Sequence, residues 1–262
     1  MITYECQQGS PEWHDLRAGV VTASMFATAR SMVGQLTKQQ DIYVKSLIAG
    51  DSEQLAKSKA GYKSTPKAKA IDATLKGEKV GDYSDASKDY AFRLAVERIS
   101  GEPLDEGMFQ TYAMRRGNEL EPEARARHVE DLGQFVQQVG FMTTDDKKFG
   151  VSVDSLIGED GGGEYKCFID PGKLRDIVIY DDWGTIPDQV QGGLWLTGRK
   201  WFDTCLYCPA LRSARLDFIR KRVVRDEDFI EQLEMDMVAF EEVVCNWVKR
   251  IRARGHKNEN VD

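Results

Sequence analysis

KFGVSVDSLIGEDGGGEYKCF, residues 148–168, is the stretch on which the fold turns. Two runs of β-rich, largely alternating residues, FGVSVDSL (149–156) and GEYKCF (163–168), flank the cluster GEDGGG, the pattern of two strands joined by a glycine-rich turn. Side chains two apart on a strand share a face, so Glu164 and Lys166 project together while Tyr165 points away. The turn brings Asp154 back beside them. Two converging carboxylates are hard oxygen ligands suited to Mg²⁺ or Mn²⁺. A lysine on the same face can orient an attacking water, and together these groups suit phosphodiester hydrolysis. The same three residue types also occur on exposed hairpins, so the rest of the chain has to decide between the two readings.

N-terminal to the hairpin the sequence is mostly helical. Ser10-Pro11-Glu12 reads as an N-cap, a proline at the first helical position and an acidic first turn, with the helix ending at Ala18-Gly19. Val20 to Ser24 lead into a second short helix, and residues 38–100 hold several helical stretches, DYAFRLAVERIS among them. Residues 110–131 read as a further helix with a kink or break at Pro122. FVQQVGFMTT (135–144) reads as a strand, and after the hairpin 171–180 and 187–197 return to helical periodicity. WFDTCLYCP and ARLDFIRKRVV read as strands, 226–252 as a long amphipathic helix, and ARGHKNENVD (253–262) as a disordered tail. The expected fold is α/β, a mixed central sheet flanked by helices, with residues 1–262 forming one domain.

Composition limits the function. With 41% hydrophobic and 30% charged residues, the chain is of the ordinary globular kind. No run approaches the ~20 apolar residues that span a bilayer, and the start carries no secretory pattern, so a cytoplasmic protein is expected. The net charge of −7 argues against indiscriminate coating of nucleic acid. Lysines nonetheless crowd residues 57–79, where Lys59, Lys63 and Lys67, spaced by four, would share a helical face. That face is either solvated or a contact for phosphates. Cys205 and Cys208 form a CxxC with no second pair to complete a zinc site, which favours buried thiols over a metal or iron–sulfur centre.

Four blocks together are more specific than the hairpin alone: GSPEWHDLRAGVVTAS, MRRGNELEPEA, VSVDSL with EYKC, and DQVQGGLW. In order and rough spacing they resemble the YqaJ-type viral recombinase (phage lambda exonuclease) family of the PD-(D/E)xK nuclease superfamily. The chain departs from the family pattern at Arg116, where tryptophan is frequent, and at Val153, where the superfamily label has proline. The resemblance implies that Asp154, Glu164 and the Tyr165 backbone carbonyl hold Mg²⁺, with Mn²⁺ able to substitute. It implies that Lys166 positions the attacking water, that Glu121 reaches the same site from a helix, and that Gln189 holds the lysine or a substrate phosphate. Arg17, Ser24 and Ser152 match residues that hold a 5′-phosphate. Read without the resemblance, Arg17 complements a helix dipole and the serines are caps or turn residues.

Trp13 is expected in the core. Ala113 and Met114 lie where the family prises the duplex apart, with core packing the favoured role for Met114. The implied activity is Mg²⁺-dependent 5′-to-3′ digestion of double-stranded DNA ends, leaving 3′ strands for a single-strand annealing protein in phage recombination. The implied assembly is a homo-oligomer, a ring-shaped trimer around DNA. The competing readings are another PD-(D/E)xK nuclease, RecB-like or an endonuclease, and a non-catalytic DNA-end-binding protein.

Overall fold

The computed structural model describes residues 1–104, 112–167 and 170–258, and within 112–258 the side chains of Ala113, Met114 and residues 256–258 lie outside the description. The helices are α1 (Pro11–Arg17), α2 (Phe26–Ala29), α3 (Lys38–Ile48), α4 (Glu53–Ala60), α5 (Lys69–Leu75), α6 (Asp85–Ser100), α7 (Tyr112–Leu132), α8 (Pro171–Tyr180), α9 (Ile186–Thr197) and α10 (Glu227–Asn258). The strands are β1 (Ile2–Tyr4), β2 (Val21–Thr22), β3 (Met32–Val33), β4 (Asp82–Tyr83), β5 (Phe141–Thr143), β6 (Phe149–Val151), β7 (Ser155–Ile157), β8 (Gly161–Lys166), β9 (Trp201–Tyr207) and β10 (Phe218–Val224). Among the described residues no helix is long and apolar enough to cross a membrane.

The chain divides into two compact units, Met1–Ala29 with Tyr90–Asp262, and Arg30–Asp89. The second holds the β3–β4 ribbon and α3 to α5, packed on Tyr43, Val44, Ala56, Ala60 and Ile71. Here α4 ends at Gly61, which takes the left-handed conformation with φ 73°, and residues 62–68 are irregular. The expected helical face of Lys59, Lys63 and Lys67 therefore does not exist: Lys59 pairs with Asp51 at 2.5 Å, and Lys63 and Lys67 follow the helix end.

The first unit carries the mixed α/β fold. Where one central sheet was expected, two four-stranded sheets occur among the described residues, ordered β1-β5-β6-β2 and β10-β9-β8-β7, each with one parallel pair. FGVSVDSL, expected as one strand, is split: β6 belongs to the first sheet and β7 to the second, with Ser152, Val153 and Asp154 at the crossing. The glycine cluster is also placed differently from expectation. The turn is Gly158 to Asp160, and the three glycines after it lie inside β8. They are there for close approach: a Cβ on Gly162 would strike the Phe202 ring, and one on Gly163 would stand 2.5 Å from Ser155 Oγ.

Helix starts follow the expected chemistry. Ser10 Oγ accepts from Trp13 N at 3.2 Å and Pro11 opens α1, while Asp170 caps α8 ahead of Pro171. In α10, Ile230, Leu233, Met237, Phe240 and Val244 recur at three and four residues and are all buried, with Phe240 stacked on Tyr90. The helix runs beyond the stripe to Asn258, so residues 253–258, expected to be disordered, extend it; 259–262 lie outside the described residues. Helix α7 runs without interruption through Pro122, contrary to a break there. Leu120 and Ala124, buried against Tyr165 and Tyr207, anchor the helix on both sides of the proline.

Candidate active site

The β7–β8 hairpin builds the centre. Ser155 pairs with Gly163, which sets Asp154 across from Glu164 at the mouth of the two strands. Asp154 Oδ2 accepts a 2.6 Å hydrogen bond from Tyr165 N, fixing the carboxylate against β8. Lys166 Nζ donates to Glu164 Oε1 at 2.7 Å and to Gln189 Oε1 at 2.9 Å, and Gln189 Nε2 donates to the same Glu164 oxygen at 2.6 Å. Gln189 comes from α9, whose buried face includes Gly192 and Gly193, packed closely on Phe26 and Phe202. Without the family resemblance, Gln189 would read as a surface residue; it is half-buried and tied into the centre.

The electrostatics follow from this crowding. Burial first, and then the Glu164 and Glu121 carboxylates, push Asp154 well above the ordinary aspartate range, against the pull of Lys166 and the Tyr165 N–H. Burial opposes the charge on Lys166, but Glu164 and Asp154 outweigh it and hold the ammonium above its usual value. Glu121 reaches the region from α7, where Arg125 binds it and also donates to the Asp154 carbonyl at 3.4 Å. Its carboxyl is raised by burial, lowered by Arg125 and raised again by Glu164. Among the described residues no three His, Cys, Asp or Glu side chains gather around one point. Two crowded carboxylates beside a strand carbonyl are nonetheless an oxygen donor set that suits a hard divalent cation retaining some of its water.

A cavity of about 170 Å³ opens beside the hairpin, and Arg17, Thr22, Ser24, Ser152, Asp154 and Gln189 line it. The three residues matched to phosphate binding are thus brought together, next to the carboxylate site. Arg17 Nη1 donates to Ser152 Oγ at 3.3 Å, and its guanidinium lies 3.9 Å over the Trp13 ring. Trp13 is half-buried and donates to Ser152 Oγ at 2.8 Å, so it is a wall of this cavity and not the core residue expected. Burial lowers Arg17 to about 10, which leaves it cationic at neutral pH. Thr22 was not singled out in the sequence. Its hydroxyl lies 3.5 Å from Arg17 Nη2 and 3.3 Å from Ser24 Oγ, and its place two residues before Ser24 was the available signal.

Cys205 and Cys208 are buried free thiols in β9 and just after it. Ala113 and Met114 fall in α7, but their side chains lie outside the described residues.

No curated protein matches the chain. Among solved structures, an alkaline exonuclease (LHK-Exo) from Laribacter hongkongensis matches with TM-score 0.67 at 24% identity, over 95% of this chain and 99% of that one. The structure of LHK-Exo in complex with dAMP matches with TM-score 0.68 at 23% identity over the same shares. A phage related exonuclease from Haemophilus somnus 129PT matches with TM-score 0.56 at 14% identity, over 88% and 96%. These likenesses establish that the chain shares the fold of those structures. A family model, the YqaJ-like viral recombinase domain, matches residues 12–200, a span that contains Arg17, Ser24, Glu121, the β7–β8 hairpin and Gln189. This chain belongs to the YqaJ-like viral recombinase family.

Proposed function

We propose that the chain is a metal-dependent exonuclease that digests double-stranded DNA from its ends, 5′ to 3′. One observation carries this: the cavity that gathers Arg17, Ser24 and Ser152 has Asp154 and Gln189 in the same wall. A group that recognises a terminal phosphate is then next to the group that would cut. The solved neighbours named as exonucleases, one of them in complex with dAMP, agree with it.

Asp154, Glu164 and the Tyr165 carbonyl would hold Mg²⁺ or Mn²⁺, which when bound polarises a phosphoryl oxygen and eases deprotonation of water. The remaining work falls to the chain's own side chains. Lys166, kept protonated by its carboxylate neighbours, is a donor only; it can hold the attacking water and offset negative charge growing on the phosphoryl oxygens. Gln189 bonds both Lys166 and Glu164 and so holds the pair in one arrangement. Arg17 grips the terminal phosphate by charge and paired donors, with the serine hydroxyls on its remaining oxygens.

The water oxygen bonds to phosphorus as its proton passes to solvent, the P–O3′ bond breaks, and the departing 3′ oxygen takes a proton from solvent. That choice of bond leaves a 5′-phosphate on the shortened strand, regenerating the feature the cavity binds. In this reading the chain works as a ring-shaped trimer and passes its 3′ strand to a single-strand annealing protein.

The test is Mg²⁺-dependent digestion of linear duplex labelled separately at each 5′ and 3′ end, beside closed circular duplex. Early release of the 5′ label with the circle intact is the expected result. A cut circle would favour an endonuclease, early loss of the 3′ label would reverse the polarity, and no nucleotide release would favour an end-binding protein.

A further inference from the structure

Behind the hairpin lies a buried polar chain that the proposed chemistry does not use. His128, on α7, has no exposed surface, and neither does Asp203 on β9. His128 Nδ1 lies 3.0 Å from the Tyr165 hydroxyl and its Nε2 3.3 Å from Asp203 Oδ2, while the Tyr165 hydroxyl lies 3.0 Å from Ser155 Oγ. Arg222 closes the far end with 2.8 and 2.9 Å bonds to Asp203, and Arg220 adds one at 3.3 Å.

The donor inventory gives the chain a direction. A carboxylate paired with two guanidinium groups accepts only, so Nε2 carries the proton facing Asp203. In the neutral ring Nδ1 then accepts from the Tyr165 hydroxyl, which in turn accepts from Ser155. Each donor has one acceptor, and no group is spare.

The two residues at the end of this chain are the neighbours in sequence of the proposed ligands. Ser155 follows Asp154, and Tyr165 sits between Glu164 and Lys166 while its own carbonyl is a proposed ligand. Gly163 belongs to the same arrangement. A Cβ there would meet Ser155 Oγ at 2.5 Å and Tyr165 Oη and His128 Cε1 at 3.5 Å, so the glycine lets the strand lie directly over the bonded groups. Holding both strands through one hydroxyl fixes how far apart Asp154 and Glu164 stand, and groups that orient metal ligands from behind govern affinity strongly.

We propose that His128 is a positioning residue which, through the Tyr165 hydroxyl, sets the spacing of Asp154 and Glu164 for a divalent cation. This rests on the metal reading of that site. Variants and metal binding test it together: Tyr165→Phe, His128→Gln and His128→Asn, with Mn²⁺ binding to the DNA-free protein followed by electron paramagnetic resonance, and kcat and KM measured on 5′-phosphorylated duplex.

Tyr165→Phe removes one oxygen and keeps the ring. It is expected to weaken Mn²⁺ binding by about 10- to 100-fold and to leave the KM for DNA within about twofold. Asparagine places its amide near the level of Nδ1 and can still bond the tyrosine, whereas glutamine reaches the level of Nε2 and keeps only the Asp203 contact. His128→Asn should therefore recover most of the affinity that His128→Gln loses.

Folded Tyr165→Phe protein that binds Mn²⁺ like the parent overturns the proposal, whether or not the histidine variants fold. Equal recovery by glutamine also overturns it, because His128 would then serve only to neutralise Asp203. Asp154→Ala is the control: if it binds Mn²⁺ as the parent does, the metal reading falls and this inference with it. If Asp154→Ala loses the ion while Tyr165→Phe keeps it, only the inference falls.

Discussion

If Arg17 holds a terminal phosphate, replacing it with methionine should separate end recognition from chemistry. Methionine keeps an unbranched side chain over the Trp13 ring and removes the charge. Burial lowers Arg17 to about 10 from the ordinary guanidinium value above 12, and at about 1.4 kcal/mol per pKa unit this charge costs the folded protein roughly 3 kcal/mol. The sign follows from linkage. A base whose folded pKa is depressed destabilises the fold at all pH values below that pKa, so the penalty is fully present at neutral pH and fades only above about 10.

Among the described residues no carboxylate lies within ion-pair distance of Arg17 to relieve this cost, and a bound phosphate can. A charge-assisted contact of this kind contributes about 1.5–3 kcal/mol, so the parent should start on 5′-phosphorylated ends roughly 10- to 150-fold faster than on 5′-hydroxyl ends. Arg17→Met should lose most of that ratio, keep its Mg²⁺ requirement, and melt no lower than the parent at neutral pH. The assay is initiation rate on two duplexes that differ only in the terminal group, with a thermal melt of each protein. A parent indifferent to the 5′ group, or a variant slowed equally on both ends, refutes the phosphate cavity. A variant that melts several degrees lower refutes the claim that the buried charge is a cost.

Asp154→Asn and Glu164→Gln should each remove hydrolysis, and metal-free Asp154→Asn should melt at or above the parent temperature because a crowded carboxylate has been neutralised; activity within about tenfold of the parent, only ~1.4 kcal/mol of barrier, would count against the assignment. At Asp203, burial alone would raise the pKa, but Arg222, His128 and Arg220 hold it well below the usual carboxylate range, so its ion pairs stabilise the fold above about pH 4 and are lost as pH falls through the depressed value. Arg222→Gln should therefore move the acid-unfolding midpoint to higher pH, read by circular dichroism. Lys63, Lys67 and Lys69 are exposed and follow or begin helices in the second unit; if they touch phosphates, changing all three to glutamine should flatten the salt dependence of DNA binding by about 2 to 3 in log–log slope, and an unchanged slope returns them to solvent.

What the sequence revealed was local. The Ser10 cap, the α10 stripe and the pairing of Asp154 with Glu164 depend on neighbours along the chain, and all could be read directly. The lysine face failed for a local reason that was also present: Gly61 supplies a left-handed helix stop between Lys59 and Lys63. Trp13, Thr22 and Gln189 were harder, because their roles come from contacts with Ser152, Ser24 and Glu164 that no periodicity encodes. His128 lies on a helix between Arg127 and Val129. Only the folded packing of α7 on β8 and β9 shows it meeting Tyr165 and Asp203.

In the exonuclease reading, the break inside FGVSVDSL ties recognition to cutting. Strand alternation runs through Ser152 and Asp154 without interruption, so the sequence reads one strand; the partners decide otherwise, since Val151 pairs with Met142 in one sheet and Ser155 with Gly163 in the other. The crossing residues are freed from both ladders. Ser152 accepts from Trp13 and Arg17, Asp154 is fixed by Tyr165 N, and both line one cavity two residues apart. In the exonuclease reading, the single residue Val153 joins the phosphate clamp to the carboxylate, and this short covalent link sets which phosphodiester lies at the metal when the end is held. Moving the crossing by one residue would turn Ser152 or Asp154 to the opposite face and uncouple the two functions. A glycine inserted after Val153 should therefore abolish 5′-directed release, even in protein that still binds phosphorylated ends.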